Sequence, residues 1–363
     1  MKIIIAIDSF KGCMTSRQAA KAVHEGVKQA CPDAEVIELP VSDGGEGMLE
    51  AFTAALGGRM VPITVHDPLM RPIDTHYGIS PNGTTAIIEM AKASGLTLLS
   101  PSERNPLIAT TYGTGEMIVH AIERGCKRII VGLGGSATCD FGMGMLEAMG
   151  VTFSDKHLHP IPHLDHFFYN DHRDVEVVVA SDVQNPLCGK QGAAHVFARQ
   201  KGASSADIQL LDKRARGFQY YSRMVLGKNM AKAPGAGAAG GLGYALMEYL
   251  DATVHSGIDL LLDVARFDHL LADAQLVITG EGSADRQTLM GKLPQGVMLR
   301  AAAHHVPTAL VAGQVSDAPA LLEAGFANVA GINPPDLPLA ECLKPDVATR
   351  NLASTVAQII QSI

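Results

Sequence analysis

Residues 132 to 144 read Gly-Leu-Gly-Gly-Ser-Ala-Thr-Cys-Asp-Phe-Gly-Met-Gly, directly after the apolar run Ile129 to Val131 and ahead of a helix-like segment. A buried strand that hands over to a helix through such a stretch belongs to an α/β sheet and marks a place for an anion. Gly132, Gly134 and Gly135 can take positive φ at no steric cost and leave no side chain over the backbone N–H groups. Ser136 and Thr138 add hydroxyl donors, while Asp140 either caps the next helix or faces a metal ion. Tight turns need the same glycines for steric reasons alone, so both readings stand at this point. The spacing is neither a Walker pattern nor a dinucleotide fingerprint.

At 363 residues the chain exceeds what one hydrophobic core usually serves, and two domains are expected. Its 47% hydrophobic and 18% charged content excludes a mostly disordered chain. A net charge of −8 argues against broad nucleic-acid binding. No apolar run reaches membrane-spanning length and the N-terminus enters a strand pattern right after Lys2, so a soluble protein without signal peptide or membrane partner is expected. Six cysteines, scattered without metal or disulfide spacing, suit a reducing cytoplasm. The absence of Trp and the 37 glycines favour a small polar substrate.

Several other strand exits carry chemistry-bearing residues. The run 3 to 7 reads as a strand buried on both faces and releases Asp8, Ser9 and Lys11, where ligands of an open parallel sheet bind. A second run, 35 to 39, precedes Asp43, Gly44, Gly45 and Glu46, which either bind substrate hydroxyls or satisfy the start of a helix over 48 to 56. From Pro62 the pattern changes to paired short strands around 63 to 65, 73 to 79 and 84 to 89. The histidines between 157 and 172 resemble a zinc set only superficially and belong to a solvated excursion. Asp182 and Asn185 follow the strand pattern 175 to 180, and the cations Lys190, Arg199 and Lys201 either face phosphates or flank a helix. The Gly-Ala stretch 234 to 243 reads most simply as close packing. Finally, the run 276 to 278 ends in Thr-Gly-Glu-Gly-Ser-Ala-Asp, containing Gly280, Glu281, Gly282 and Asp285, with Lys292 just before an apolar helix. Because these last elements resemble the first 60 residues, we expect a discontinuous parallel-sheet domain from 1–60 and 265–363. A mixed α/β domain over 61–264 is inserted into it, with the active cleft between the two.

The motifs DSFKG at 8 to 12, SDGGEG at 42 to 47, GLGGSATCD at 132 to 140, SDVQNPLCG at 181 to 189, RQKGA at 199 to 203 and TGEGSADRQTLMGKLP at 279 to 294 resemble, in that order, the bacterial glycerate kinase family. The nearest resemblance is to the glycerate 2-kinases of glyoxylate and aldarate utilisation. It implies a flavodoxin-like or Rossmann-like three-layer domain with an inserted second α/β domain. It also implies transfer of the ATP γ-phosphoryl group to D-glycerate, with Mg2+, to give 2-phosphoglycerate and ADP.

On that resemblance Asp182 is the first choice for the group that orients the acceptor hydroxyl or takes its proton, with Asp43 and Asp285 as rivals. Lys11 and Lys292 would stabilise carboxylate or phosphoryl oxygens. Asp8, Ser9, Lys11, Gly44, Gly45, Glu46 and Asn185 would bind the acid, and Gly134, Gly135, Ser136, Thr138, Gly280 and Gly282 the nucleotide. Asp140 and Glu281 would contact magnesium. Two residues depart from the family pattern: Phe141 stands where another Gly is frequent, and Arg199 where Pro is common. Phe141 is expected to tighten packing behind the loop, and Arg199 to change the charge of the cleft. The competing readings are a glycerate 3-kinase, a kinase or dehydrogenase of another small hydroxy acid, and an anion sensor without turnover. A homo-oligomer is left open.

Overall fold

The computed structural model describes residues 1–10, 12–39, 41, 47–155 and 159–362. The chain forms two compact units, Met1–Asp43 with Ile258–Ile363, and Gly44–Gly257. The first is built on five parallel strands in the order Asn328–Gly331, Thr308–Val315, Leu276–Ala284, Lys2–Ile7, Glu35–Glu38. Counted along the chain this is 2-1-3-4-5, the flavodoxin-like order.

The apolar runs form strands because both of their faces are covered. Ile3, Ile5, Ile7, Ala309 and Val311 pack under helices Ser16–Ala30 and Pro345–Gln361. Leu310 and Ala312 point to the opposite face, against Met298 and Leu321. Three layers result. A capping box starts the first helix: the Gln18 N–H donates to Thr15 Oγ1 at 3.2 Å, and the Thr15 N–H to Gln18 Oε1 at 2.9 Å. Gly26, which gives up about 1 kcal/mol of helix propensity relative to Ala, is required there. A Cβ at that position would lie 2.3 Å from the Ala353 carbonyl oxygen.

In the second unit six strands run in the order Thr253–His255, Glu176–Ala180, Arg128–Gly132, Thr85–Glu89, Pro72–Ile79, Arg59–His66. The first four are parallel and the last two add antiparallel hairpin pairing, as the alternation after Pro62 predicts. The units divide at 43/44 and 257/258 rather than near 60 and 264. The helix Met48–Ala55 accounts for the first difference. It buries Met48, Leu49 and Phe52 completely, and the Leu49 N–H donates to Glu89 Oε2 at 3.3 Å. A Cβ on Gly132 would lie 2.2 Å from Met48 Sδ, so this helix seats on the second sheet although it follows a strand of the first. The helix Gly257–Val264 explains the other: its Ile258 fills the space left by Gly296 in the first unit, 2.8 Å from where a Cβ would stand.

Among the described residues, the histidine-rich excursion forms a two-stranded hairpin, Thr152–Ser154 with Ile161–His163, and His163 Nε2 pairs with Ser154 Oγ at 2.7 Å. His157 lies outside the described residues. No group of three or more His, Cys, Asp or Glu side chains gathers as a metal site among those described, and no described helix is long and apolar enough to cross a membrane.

Candidate active site

In the first unit the strands Lys2–Ile7 and Leu276–Ala284 are neighbours, and the chain leaves them to opposite faces of the sheet. Ser16–Ala30 covers one face and Leu293–Ala303 the other. That divergence opens a crevice at the carboxyl ends of the strands. A cavity of about 340 Å³ occupies it, with Asp8, Ser9, Glu281, Gly282, Ser283 and Lys292 in its wall. The Asp8 N–H donates to the Gly280 carbonyl at 3.0 Å, tying the two strand exits together, and the Ser9 N–H donates to Asp8 Oδ1 at 2.6 Å.

Glu281 is buried and its two oxygens are engaged separately. Thr288 Oγ1 donates to Oε1 at 2.6 Å and Lys292 Nζ to Oε2 at 3.1 Å. Lys292 stands at the N-cap of Leu293–Ala303 with its side chain 39% exposed. A cation is thus held on a fixed carboxylate while its ammonium still faces solvent. Glu281, expected as a magnesium ligand, is built as the partner of Lys292.

Two other expectations for this segment change. Gly280 is buried, and a Cβ there would stand 2.0 Å from the Val311 carbonyl oxygen. Its glycine is required by the spacing to the neighbouring strand. Asp285 is a helix cap: the Gln287 N–H donates to its Oδ1 at 2.7 Å at the start of the 3-10 turn Arg286–Leu289. Lys11, Asp43, Gly44, Gly45 and Glu46 lie outside the described residues.

The glycine-rich stretch of the second unit is packed instead of open. Leu96 N–H donates to the Gly135 carbonyl at 2.8 Å and Ala137 N–H to the Ser94 carbonyl at 2.9 Å, pinning the loop to its neighbour. Thr138 is fully buried, so its hydroxyl is withdrawn from any ligand. Asp140 is a hub: its Oδ2 accepts from Thr111 N–H and Thr111 Oγ1 at 2.8 Å each and from Gly144 N–H at 3.1 Å, and its Oδ1 from Gly142 N–H at 3.2 Å. Both oxygens of that carboxylate are engaged by the fold. Gly144 leaves room for Thr110 Oγ1, 1.9 Å from a would-be Cβ, and Gly240 of the Gly-Ala stretch does the same for the Thr138 carbonyl at 2.0 Å. Within the stretch, Gly134 and Gly135 keep surface exposure.

Ser136, expected to bind phosphate, is held by a lysine. Lys201 is 2% exposed, and its Nζ donates to Ser136 Oγ and to the Thr138 carbonyl, both at 2.7 Å. Burial pushes its ammonium down to about 8, against the opposing pull of Cys139 and Asp140. The same burial pushes the Cys139 thiol up to about 11. Sequence alone offered Lys201 only as one of three nearby cations. Its one local signal is Gly202, which takes φ 99° and turns the chain just after it.

Phe141 is buried at φ 59°, with its N–H donating to the Gly240 carbonyl at 3.1 Å, so it tightens the loop from behind as expected. Arg199 Nη2 donates to Ser205 Oγ at 3.2 Å, next to the long helix Ser205–Leu226. Asp182 is exposed at the exit of Glu176–Ala180, the strand beside Arg128–Gly132, so it and Gly134 follow adjacent parallel strands. Asn185 uses its amide to close its own loop, Nδ2 donating to the Gln191 carbonyl at 2.8 Å.

A family model described as the glycerate kinase family matches residues 3–363. The chain is 40% identical to a glycerate kinase of Bacillus subtilis (strain 168), covering 100% of this chain and 98% of that protein. It is also 40% identical to a glycerate 2-kinase of Escherichia coli (strain K12), over 87% of this chain and 86% of the other. A crystal structure from Salmonella typhimurium LT2, of a protein provisionally named glycerate kinase 2, superposes with a TM-score of 0.89 at 36% identity, covering 100% of this chain and 98% of that one.

Proposed function

The chain belongs to the glycerate kinase family and is a phosphotransferase, and from that premise we propose that it transfers the γ-phosphoryl group of ATP to the C2 hydroxyl of D-glycerate, giving 2-phosphoglycerate and ADP. The observation that carries this reading is Lys292, a half-exposed cation fixed on buried Glu281 beside a cavity at the carboxyl ends of a parallel sheet. Phosphoryl transfer asks the protein mainly for positioning and for charge aimed at the moving oxygens, and a preset cation supplies both. The Lys292 ammonium neutralises phosphoryl oxygen as charge builds. Asp182 of the second unit accepts the proton of the attacking hydroxyl, and Asp8 and Ser9 orient oxygen ligands at the strand exit. Asn185 holds the loop that follows Asp182.

Magnesium fits the oxygen donors of the first unit. It is commonly held by one or two carboxylates together with substrate phosphates, not by an all-protein cage. Asp8, with the hydroxyls of Ser9 and Ser283, would hold it, in a wall that gathers no third carboxylate among the described residues. Bound there, it would neutralise phosphate charge.

Regiochemistry is tested by ³¹P–¹H correlation NMR of the product formed from D-glycerate and ATP-Mg. Coupling of phosphorus to the single methine proton supports the 2-kinase. Coupling to the methylene pair makes the enzyme a 3-kinase, and no phosphorylated acid at all leaves an anion sensor.

A further inference from the structure

The far side of the first unit's cavity has a chemistry that neither glycerate nor phosphate explains. Past the strand Asn328–Gly331 the wall is made by Ile332, Leu339 and Leu343, joined by the side-chain amides of Gln314 and Asn333. Leu339, at the start of the short helix Leu339–Cys342, is 62% exposed and Leu343, at its C-cap, is 43% exposed, so two large apolar side chains border a cavity without a covering partner. Neither amide side chain makes a hydrogen bond among the described residues. Both stand at strand ends with donor and acceptor atoms unused. A small, strongly hydrated acid would lose its water against leucine and isoleucine with nothing to replace it. A flat heteroaromatic ring gains from the apolar walls and has edge nitrogens for the amides. The volume, about 340 Å³, falls at the lower end of the range for pockets that take cofactor-sized ligands, roughly 300–1,000 Å³, and is generous for a three-carbon acid.

We propose that this cavity holds the nucleoside of the phosphoryl donor, with the purine ring among Ile332, Leu339 and Leu343, its edge on Gln314 and Asn333, and its phosphates toward Ser283 and Lys292. The inference rests on the kinase reading above and adds the seat of the base. It places the nucleoside in the first unit.

The test is steady-state kinetics with each substrate varied in turn, on the full chain carrying Leu339→Glu, Leu343→Glu or Asn333→Ala, with thermal unfolding as the folding control. Leu339 and Leu343 are exposed enough for a polar replacement to leave folding intact. The expected result is a rise of about tenfold or more in KM for ATP for either leucine variant, with KM for D-glycerate within about twofold of the parent. A rise in KM for D-glycerate with KM for ATP unchanged overturns the assignment and gives the cavity to the acid. Unchanged values for both substrates overturn it as well. Calorimetric titration with ADP separates this inference from the activity. If the parent protein forms no phosphoglycerate, the kinase reading fails on that result. The nucleoside assignment then stands only if ADP binds the parent and binds Leu343→Glu about tenfold or more weakly, and it falls if the two affinities agree.

Discussion

Two strand exits in this chain have nearly the same composition and opposite fates. After Arg128–Gly132 comes a run of Gly, Ser, Thr and Asp with a lysine against it. Within and after Leu276–Ala284 comes another run of Thr, Gly, Ser and Asp, also with a lysine against it. In the second unit the lysine is 2% exposed and its ammonium closes the turn from inside. In the first unit the lysine side chain is 39% exposed, leans on a buried glutamate and faces a cavity. A glycine-rich turn after a buried strand is therefore not a ligand site by itself. The two exits differ in whether neighbouring elements leave a cavity beside the lysine.

The largest effect expected from this contrast is on turnover. Lys292→Met removes an exposed cation and should lower kcat by about 10²–10³-fold, with a lower unfolding temperature because buried Glu281 keeps only the Thr288 hydroxyl. A normal kcat by coupled ADP assay would erase the distinction between the two lysines. Asp182→Asn changes little volume and should cost about 10²-fold in kcat. Near-normal turnover across pH would remove Asp182 from proton transfer and leave the second unit's exit without a catalytic carboxylate.

Smaller effects probe packing. Phe141→Gly loses a fully buried ring, worth about 3–5 kcal/mol in Phe-to-Ala series. It recovers roughly 1 kcal/mol by placing glycine at φ 59°. The expected net loss, about 2–4 kcal/mol by urea unfolding, marks a turn held by its filling. A neutral result would mean that the loop tolerates an open interior.

The Lys201 prediction is one of sign. Its folded pKa, about 8, is below the free value of 10.5, so between those values the unfolded chain carries more protons and stability rises with pH. The penalty for burying the charge is fully present below about pH 8 and is relieved as pH climbs toward 10.5. Parent and Lys201→Met, unfolded in urea at points across that window, should show the parent gaining relative to the variant. A constant difference would mean that the lysine titrates normally and the turn is not closed around it. The smallest effect is at Asp285: replacing this cap by alanine should cost about 1 kcal/mol and leave kcat within a few-fold. A large fall in kcat would return Asp285 to the catalytic groups.

Much of this was legible in the chain. Apolar runs marked the parallel strands, and the change of pattern at Pro62 marked the antiparallel hairpins, whose first strand begins at Arg59. These are short-range signals, and the long apolar runs fall close to observed strands, whereas short elements such as Thr152–Ser154 and Thr253–His255 went unmarked. The first division between units was missed because Met48–Ala55 follows a first-unit strand, and nothing local says which sheet its apolar face will find. Thr138, Asp140, Gly280 and Asp285 were named for chemistry because their residue types suit it, yet burial, donor saturation, strand spacing and capping use them otherwise.

The sequence by itself determined two α/β units and the apolar runs that become their parallel strands, because periodicity depends on residues a few places apart. Tertiary structure decided which glycine-rich exit is solid and which is open, that Lys201 lies inside while Lys292 faces a cavity, and that Glu281 holds a cation. The missing Cβ of a glycine is the same local fact in either case. What stands beside it, a methionine sulfur from the helix Met48–Ala55 at Gly132 and the Val311 carbonyl of the neighbouring strand at Gly280, arrives from a distant part of the chain.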